Sequence, residues 1–149
     1  MTAVGSVIAG QQTVLVPRDA TVLEAVRRMT ERRIGAVPVV DSGRVVGIFS
    51  ERDVMSRVVA AGRDPSATPV GDVMTTDLVV ASPADDYESC LGLMQRAGVR
   101  HLLILKDGRL EGIVSLRDLL RVELDEKDEA ISLLNAYVHD IPLKLSPGR

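Results

Sequence analysis

The sequence is poor in aromatic residues, cysteine and histidine. Phe49, Tyr87 and Tyr137 are its only aromatic residues and tryptophan is absent, so the core must be aliphatic. The stacking platforms on which proteins bind single-stranded nucleic acid are lacking as well. A single cysteine, Cys90, excludes an internal disulfide framework and a multi-cysteine metal site. Its place among apolar residues indicates a small core residue.

Long apolar runs and strong charge are missing too. No run of 18 apolar residues is present, so no membrane-spanning helix is predicted. The N-terminus has no basic stretch followed by a long apolar segment, so no signal peptide is predicted. The net charge of −3 gives no electrostatic footprint for nucleic acid. We therefore expect a cytoplasmic protein with neither a nucleic-acid nor a membrane partner.

The chain contains an internal repeat. A displacement of 65 residues places Val14 on Val79, and it aligns GRVVGIFSERD (residues 43–53) with GRLEGIVSLRD (residues 108–118). Ser, Arg and Asp are kept in this stretch, whereas elsewhere only the apolar pattern repeats. A repeat that kept only its core would retain no polar residues, so the pattern indicates a site that is used twice.

Each repeat has the pattern β-α-β-β-α. Thr21 followed by Glu24 predicts a capping box at the start of the first helix. The remaining predicted elements of the first repeat are strands at 14–16, 36–40 and 44–49 and a helix from Ser50. Those of the second repeat are strands at 78–81, 101–105 and 109–114 and helices from about Asp86 and from Ser115.

These elements predict the domain boundaries. The first repeat covers residues 5–62, a turn-rich linker 63–71, the second repeat 72–124, and a C-terminal helix and tail 125–149. Two units of this size pack together because neither buries a good core alone. The tail is expected to form an added helix whose apolar stripe covers the module or a second subunit, and residues 146–149 are expected to fray.

The repeated element G-x-x-S-x-x-D lies where a strand meets a helix, at residues 47–53 and 112–118. A serine cap with an aspartate at the third helical position explains it structurally. However, Arg52 and Arg117 stand in the first helical turn, where a cation opposes the helix dipole. A phosphate bound at the free N–H groups of the helix would explain these arginines, and the aspartate would accept hydrogen bonds from a ribose diol.

The segment IGAVPVVD at residues 34–41 and the two G-x-x-S-x-x-D elements resemble a tandem pair of CBS domains, the module named after cystathionine β-synthase. The resemblance covers roughly residues 5 to 124. The second repeat departs from the pattern where Leu103 replaces Pro38 and where residues 100–101, Arg-His, replace Gly-Ala. The resemblance implies an α+β fold of two tandem β-α-β-β-α repeats packed with pseudo-twofold symmetry, followed by a C-terminal helix. It also implies a homodimer that forms through helices.

The resemblance further implies adenosine-containing ligands in clefts between the repeats. AMP is the leading cofactor, with ADP, ATP, NAD and S-adenosylmethionine as alternatives. The motif Asp would hold the ribose hydroxyls, the Ser would meet the phosphate, and apolar strand residues would hold the adenine. One predicted site consists of Ser50, Arg52 and Asp53 with Val79, Val99, Arg100 and His101. The other consists of Ser115, Arg117 and Asp118 with Val14, Ile34, Gly35 and Ala36, and Ile48 and Ile113 line the adenine slots. We expect the site beside Arg100 to prefer the more charged ligand.

Three functions follow as hypotheses. The leading one is a regulatory sensor that binds an adenine nucleotide and alters its contact with a dimer mate or with an unidentified regulated protein. The alternative is an assembly scaffold with non-functional nucleotide sites. An enzyme is not expected, because Ser50, Ser115 and Cys90 have no histidine near them in the sequence to act as a base.

Overall fold

A computed structural model describes residues 2–140 of the chain. The tail residues predicted to fray lie outside this range. The elements of the first half are α1 (Val4–Val7), β1 (Val16–Pro17), α2 (Val22–Arg32), β2 (Ala36–Asp41), β3 (Arg44–Ser50) and α3 (Glu51–Asp53), which continues as a π-helix, Val54–Val59. A 3₁₀ turn, Val70–Asp72, leads to β4 (Val80–Ala81), α4 (Tyr87–Ala97), β5 (His101–Lys106), β6 (Arg109–Ser115) and α5 (Leu116–Asp140).

The two halves form the same three-stranded sheet, which confirms the repeat. β1 runs parallel to β2 and β2 antiparallel to β3, while β4, β5 and β6 pair in the same way. Even the register shift recurs, between Val39 and Val40 in one sheet and between Ile104 and Leu105 in the other. These positions are 65 residues apart, so the sequence alignment is also the structural one.

The hairpin turns explain part of the repeated sequence. Ser42 and Gly43 have φ angles of 51° and 77°, and Asp107 and Gly108 have 51° and 75°. Two left-handed residues in a two-residue loop match the twist of the flanking strands, and glycine takes the second position without steric cost. The glycine before each copy of R-x-x-G-I is therefore a turn residue.

The predicted helix starts are confirmed, and the first strand of each repeat is shorter than predicted. Thr21 and Glu24 form the capping box of α2, and Asp86 caps α4. The first strand has two residues because only Val16 and Pro17 find partners on β2, where they pair with Val39 and Val40.

Each half is packed against the segment that precedes the other half, an exchange that the sequence did not reveal. Residues 2–12, which include the unpredicted α1, supply Val4 and Ile8 to the core of the second repeat. Residues 68–76 supply Val70, Val73 and Met74 to the core of the first. We call these two stretches the leading segments. Their exchange ties the repeats together, as expected for units that cannot bury a core alone.

The tail does not begin a separate helix. α5 runs without a break from Leu116 to Asp140 and therefore joins the last helix of the second repeat to the predicted added helix. Leu119 is fully buried, and the side-chain oxygen of Glu126 accepts a hydrogen bond from the hydroxyl of Thr2. Over residues 2–140, no helix is long and apolar enough to cross a membrane.

Candidate functional site

The two G-x-x-S-x-x-D elements have the same backbone geometry. In the first, the Asp53 amide donates to Ser50 Oγ at 3.3 Å and the Ser50 amide donates to Asp53 Oδ2 at 3.0 Å. In the second, the corresponding distances between Asp118 and Ser115 are 3.1 and 2.9 Å. Both motifs are capping boxes, so their structural explanation holds whether or not a ligand binds.

The environments of the two aspartates differ sharply. The side chain of Asp53 is buried, with a residue exposure of 4%. Its carboxylate also accepts the hydroxyls of Ser50 at 3.1 Å and Thr75 at 3.0 Å, and it lies 3.7 Å from Arg57 Nε. The acceptor sites that a ribose diol would need at Asp53 are therefore occupied by the protein itself.

Asp118, by contrast, is exposed. The residues that enclose Asp53 have no counterparts here, because the 65-residue displacement aligns Thr75 with Gly10 and Arg57 with Val122. A glycine has no hydroxyl to donate and a valine carries no charge. The carboxylate of Asp118 thus keeps lone pairs for a ligand, which makes the Ser115–Asp118 site the more accessible of the two.

The predicted N–H cradle at the helix starts is partly filled. The amide of Glu51 donates to the carbonyl of Gly35 at 3.0 Å, and the amide of Leu116 donates to the carbonyl of Arg100 at 2.7 Å. The first helical amide of each motif is thus tied to the residue before the central strand. Because the third helical amide bonds to the serine, a phosphate would depend more on side-chain groups than the sequence indicated.

One contact across the boundary between the repeats joins residues that were predicted for different sites, since Gly35 was predicted for the site of Asp118 and His101 for the site of Asp53. A Cβ atom built on Gly35 would lie 3.5 Å from His101 Cε1 and 3.5 Å from Glu51 Oε1. His101 also pairs across the sheet with Ser115. The structure therefore brings Gly35 of the first repeat close to the strand pair that carries the second motif. Ala36 is buried at the start of β2, next to Gly35.

Arg52 has a structural role that competes with phosphate binding. Its Nη1 donates to the carbonyl of Gly98 at 3.5 Å, at the left-handed C-cap of α4. A cation at the carbonyl end of a helix is favourable, which accounts for Arg52 without a bound anion. Arg117 is exposed at the start of α5.

Charged groups of both repeats act on His101. Burial lowers the pKa of His101 below its ordinary value, while the carboxylates of Asp118 and Glu51 act in the opposite direction and Arg100 lowers the pKa further. Arg100 itself is exposed. The imidazole is thus mainly neutral near pH 7, and we expect an anionic ligand placed beside it to favour its protonated form.

The remaining predicted residues are apolar, and most of them pack against the core of their own repeat. Four of them are partly buried and pack against the two cores: Val14, Ile34, Val79 and Val99. The backbone of Ile48 pairs with Thr75 at 2.9 and 2.8 Å. The backbone of Ile113 is instead held by the side-chain amide of Gln11, at 2.9 and 3.0 Å. Both adenine-slot residues therefore lie beneath a leading segment.

The sequence analysis missed the residues that decide which site is open. Thr75, Arg57 and Gln11 lie outside the repeated motif, and nothing in the sequence indicated that the leading segments exchange. The 65-residue displacement gives one sign of the difference between the two sites, because it aligns Thr75 with Gly10, which has no hydroxyl.

Cys90, as expected, is a core residue, and its burial raises the thiol pKa to about 11. Within residues 2–140, no cluster of three or more potential metal ligands occurs.

Two equivalent grooves lie on the helical side of the repeats, each enclosing about 370 Å³. The first is lined by Val26, Met29, Ile34 and Val54 among others, and the second by Leu91, Met94, Val99 and Leu116. Beside them, Met55 and Val59 are exposed in the first repeat, as are their equivalents Leu120 and Leu124 in the second. Apolar side chains at matching positions of both repeats are typical of a surface that packs on another molecule.

Comparisons with known proteins agree with the internal repeat. The family model for the CBS domain matches residues 4–60 and 70–125. CBS domain-containing protein YhcV of Bacillus subtilis is 36% identical over 124 residues, covering 83% of this chain and 88% of that protein. The mitochondrial CBS domain-containing protein CBSX3 of Arabidopsis thaliana is 35% identical over 125 residues, but this covers 80% of the present chain and only 61% of the relative. Among solved structures, the CBS-domain containing protein ATU1752 from Agrobacterium tumefaciens superposes with a TM-score of 0.76 at 30% identity, covering 82% of this chain and 99% of that one.

Proposed function

This chain belongs to the CBS-domain family, and we propose that it is a regulatory module that binds an adenosine-containing ligand in the site of Ser115 and Asp118. AMP is the leading ligand, and ADP, ATP, NAD and S-adenosylmethionine share the ribose and phosphate groups that the site would recognise. Ligand binding would change how the two repeats sit against each other, and a dimer mate or a regulated protein would respond to that change.

The observation that carries this proposal is the exposed carboxylate of Asp118, held in place by Ser115 at the start of α5. A carboxylate whose orientation is already fixed loses little entropy when it accepts the two hydroxyls of a ribose. The dipole of the 25-residue helix α5 favours a negatively charged group at its start, and such a group would in turn favour the protonated form of the neighbouring His101. In the site of Asp53, the hydroxyl of Thr75 takes the corresponding place, so we expect weaker binding there.

Calorimetric titration of the full chain with AMP, ADP, ATP, NAD and S-adenosylmethionine tests the proposal. Asp118→Asn removes the charge that holds the ribose, and hydrogen bonds to a charged group contribute about 1.5–3 kcal/mol. We therefore expect the affinity to fall by roughly 10- to 150-fold. Asp107→Asn is the matched control, because Asp107 is an equally exposed acid in a left-handed turn position that asparagine also adopts. Its affinity should equal that of the wild type.

The alternative function is an assembly scaffold with non-functional sites. The closed carboxylate of Asp53 favours this alternative for the first site. The alternative predicts no heat of binding for any of the five ligands and no small molecule released when the purified protein is denatured and examined by mass spectrometry. Chemical turnover of one of these ligands, abolished by a single substitution, would instead contradict the expectation that the chain has no enzymatic activity.

A further inference from the structure

The distal half of α5 carries an apolar stripe that its own protomer does not cover. α5 contacts the module through its first three turns, where Leu119 is buried and Glu126 is partly buried. Every described side chain from residue 127 to residue 138 is exposed, and the exposed fractions of Ile131, Leu134 and Val138 are 55, 62 and 56%. Exposed aliphatic side chains in this number are typical of an interaction surface.

The stripe has the spacing of a coiled-coil seam. The seam positions follow one another at intervals of four and three residues and are occupied by Leu120, Leu124, Lys127, Ile131, Leu134 and Val138. This alternation keeps one face of a helix against a partner helix, with each side chain inserted between side chains of the partner. At 1.5 Å per residue, the seam is about 27 Å long.

The charges beside the seam argue against a membrane surface as the partner. Residues 123–129 contain five acidic side chains and one lysine. Amphipathic helices that lie on membranes have basic polar faces, because the lipids that attract them are anionic. An acidic helix with a leucine-rich seam fits another helix of the same kind better.

We propose that this seam pairs with the α5 seam of a second copy of the chain, in the antiparallel orientation. The orientation follows from Lys127, the one charged residue of the seam. In a parallel pair, Lys127 would face the partner's Lys127, and Glu123 would lie beside the partner's Asp128 twice. Both contacts bring like charges together.

The antiparallel pair with its centre at residue 129 avoids these contacts. Lys127 then faces the partner's Ile131, which its aliphatic stem covers while the ammonium group reaches solvent beside the partner's Asp128. Leu124 faces the partner's Leu134, and Leu120 faces the partner's Val138. One like-charge contact remains, between Asp128 and the partner's Asp128. This pairing does not depend on nucleotide binding.

Cysteine cross-linking of the full chain tests both the pairing and its orientation. The double variant Leu124→Cys/Leu134→Cys places thiols opposite each other in either orientation: position 124 faces the partner's position 134 in the antiparallel pair, and each position faces its own copy in the parallel pair. Each single variant places a thiol opposite its own copy only in the parallel pair. Both positions are 62% exposed, so the module should remain folded, and the native Cys90 is buried. Ser132→Cys, on the outer side of α5, controls for chance collisions.

After mild oxidation, we expect a reducible covalent dimer from the double variant and monomers from the two single variants and the control. Introducing Ile131→Lys into the double variant places a second cation opposite the partner's Lys127 and should abolish the cross-link. Covalent dimers from either single variant would overturn the antiparallel orientation. The absence of a cross-link from every variant would overturn the pairing itself. Because these measurements contain no nucleotide, neither result bears on the ligand site.

Discussion

The contrast between the two motif aspartates gives the sharpest prediction. We expect Asp53→Ala to destabilise the protein strongly and Asp118→Ala to affect stability little, although the two residues occupy equivalent positions of the repeat. A motif that served only to cap a helix would show equal effects. The difference arises because Asp53 is buried and bonded across segments, whereas Asp118 is exposed.

The magnitude follows from the hydrogen bonds that each substitution removes. Asp53→Ala leaves the partly buried donors of Ser50 and Thr75 without their acceptor, in addition to removing the cap. The unsatisfied donors and the lost cap together correspond to about 2–4 kcal/mol. Asp118→Ala removes only the cap contact with Ser115, where water replaces the carboxylate, and should cost about 0.5–1 kcal/mol.

Thermal unfolding followed by circular dichroism measures both effects. A change of 1 kcal/mol shifts the Tm of a chain of this length by about 2–4 °C. We therefore expect Tm to fall by roughly 4–16 °C for Asp53→Ala and by roughly 1–4 °C for Asp118→Ala. A double-mutant cycle of Asp53→Ala and Thr75→Val should give a coupling of about 1 kcal/mol, because the two side chains bond directly and each substitution removes that bond.

Equal Tm shifts for the two alanine variants would refute this reasoning. So would a coupling near zero between Asp53 and Thr75, because the closed first site depends on that bond. If Asp118→Ala destabilised the protein more than Asp53→Ala, the assignment of the open site would be reversed, and the ligand should then be sought at Asp53.

Three further predictions concern other parts of the fold. Because the pKa of His101 is lowered in the folded protein, its contribution to stability is present above the ordinary histidine pKa of 6.5 and is lost as the pH falls below that value. The free energy of unfolding in urea, measured from pH 8 to pH 5, should therefore depend less on pH for His101→Gln than for the wild type. Cys90, with a thiol pKa of about 11, should resist iodoacetamide at pH 8 in the folded protein and react after denaturation, which mass spectrometry would measure. Rapid alkylation of the native state would contradict the burial of the thiol. Gly47→Ala should destabilise by about 1–3 kcal/mol, because the new methyl group would lie 3.0 Å from the Thr75 carbonyl oxygen, whereas Gly92→Ala in α4 should be neutral or stabilising.

A dimer mate is part of the proposed function, and the surfaces of the protomer indicate where it would pack. The two grooves occupy equivalent places in the two repeats, and Met55, Val59, Leu120 and Leu124 are exposed at matching positions. The seam of α5 starts at Leu120 and Leu124 and continues past the module. Pairing along α5 would thus place the second copy next to the helix that carries Asp118.

Local sequence signals determined most of the architecture. The repeat, the hairpins with glycine at the second turn position, and the capping boxes of Thr21 and Ser50 each depend on residues within a few positions of one another. Such features are readable because backbone conformation and cap hydrogen bonds are set locally. The polar residues kept in both repeats also located the candidate sites.

Contacts between distant segments were decided only by the tertiary structure. The exchange of the two leading segments joins residues that are far apart in the sequence. Gln11 bonds to Ile113 of the second repeat, and Thr75 bonds to Asp53 of the first. No local propensity encodes which core a short apolar segment will enter, because burial of Val4 in the second core and of Val70 in the first depends on contacts with distant residues. That choice places the Thr75 hydroxyl on Asp53 of the first motif and the Gln11 side chain on Ile113 of the second. The sequence by itself therefore determined two equal motifs, and packing across the repeats made one closed and the other open.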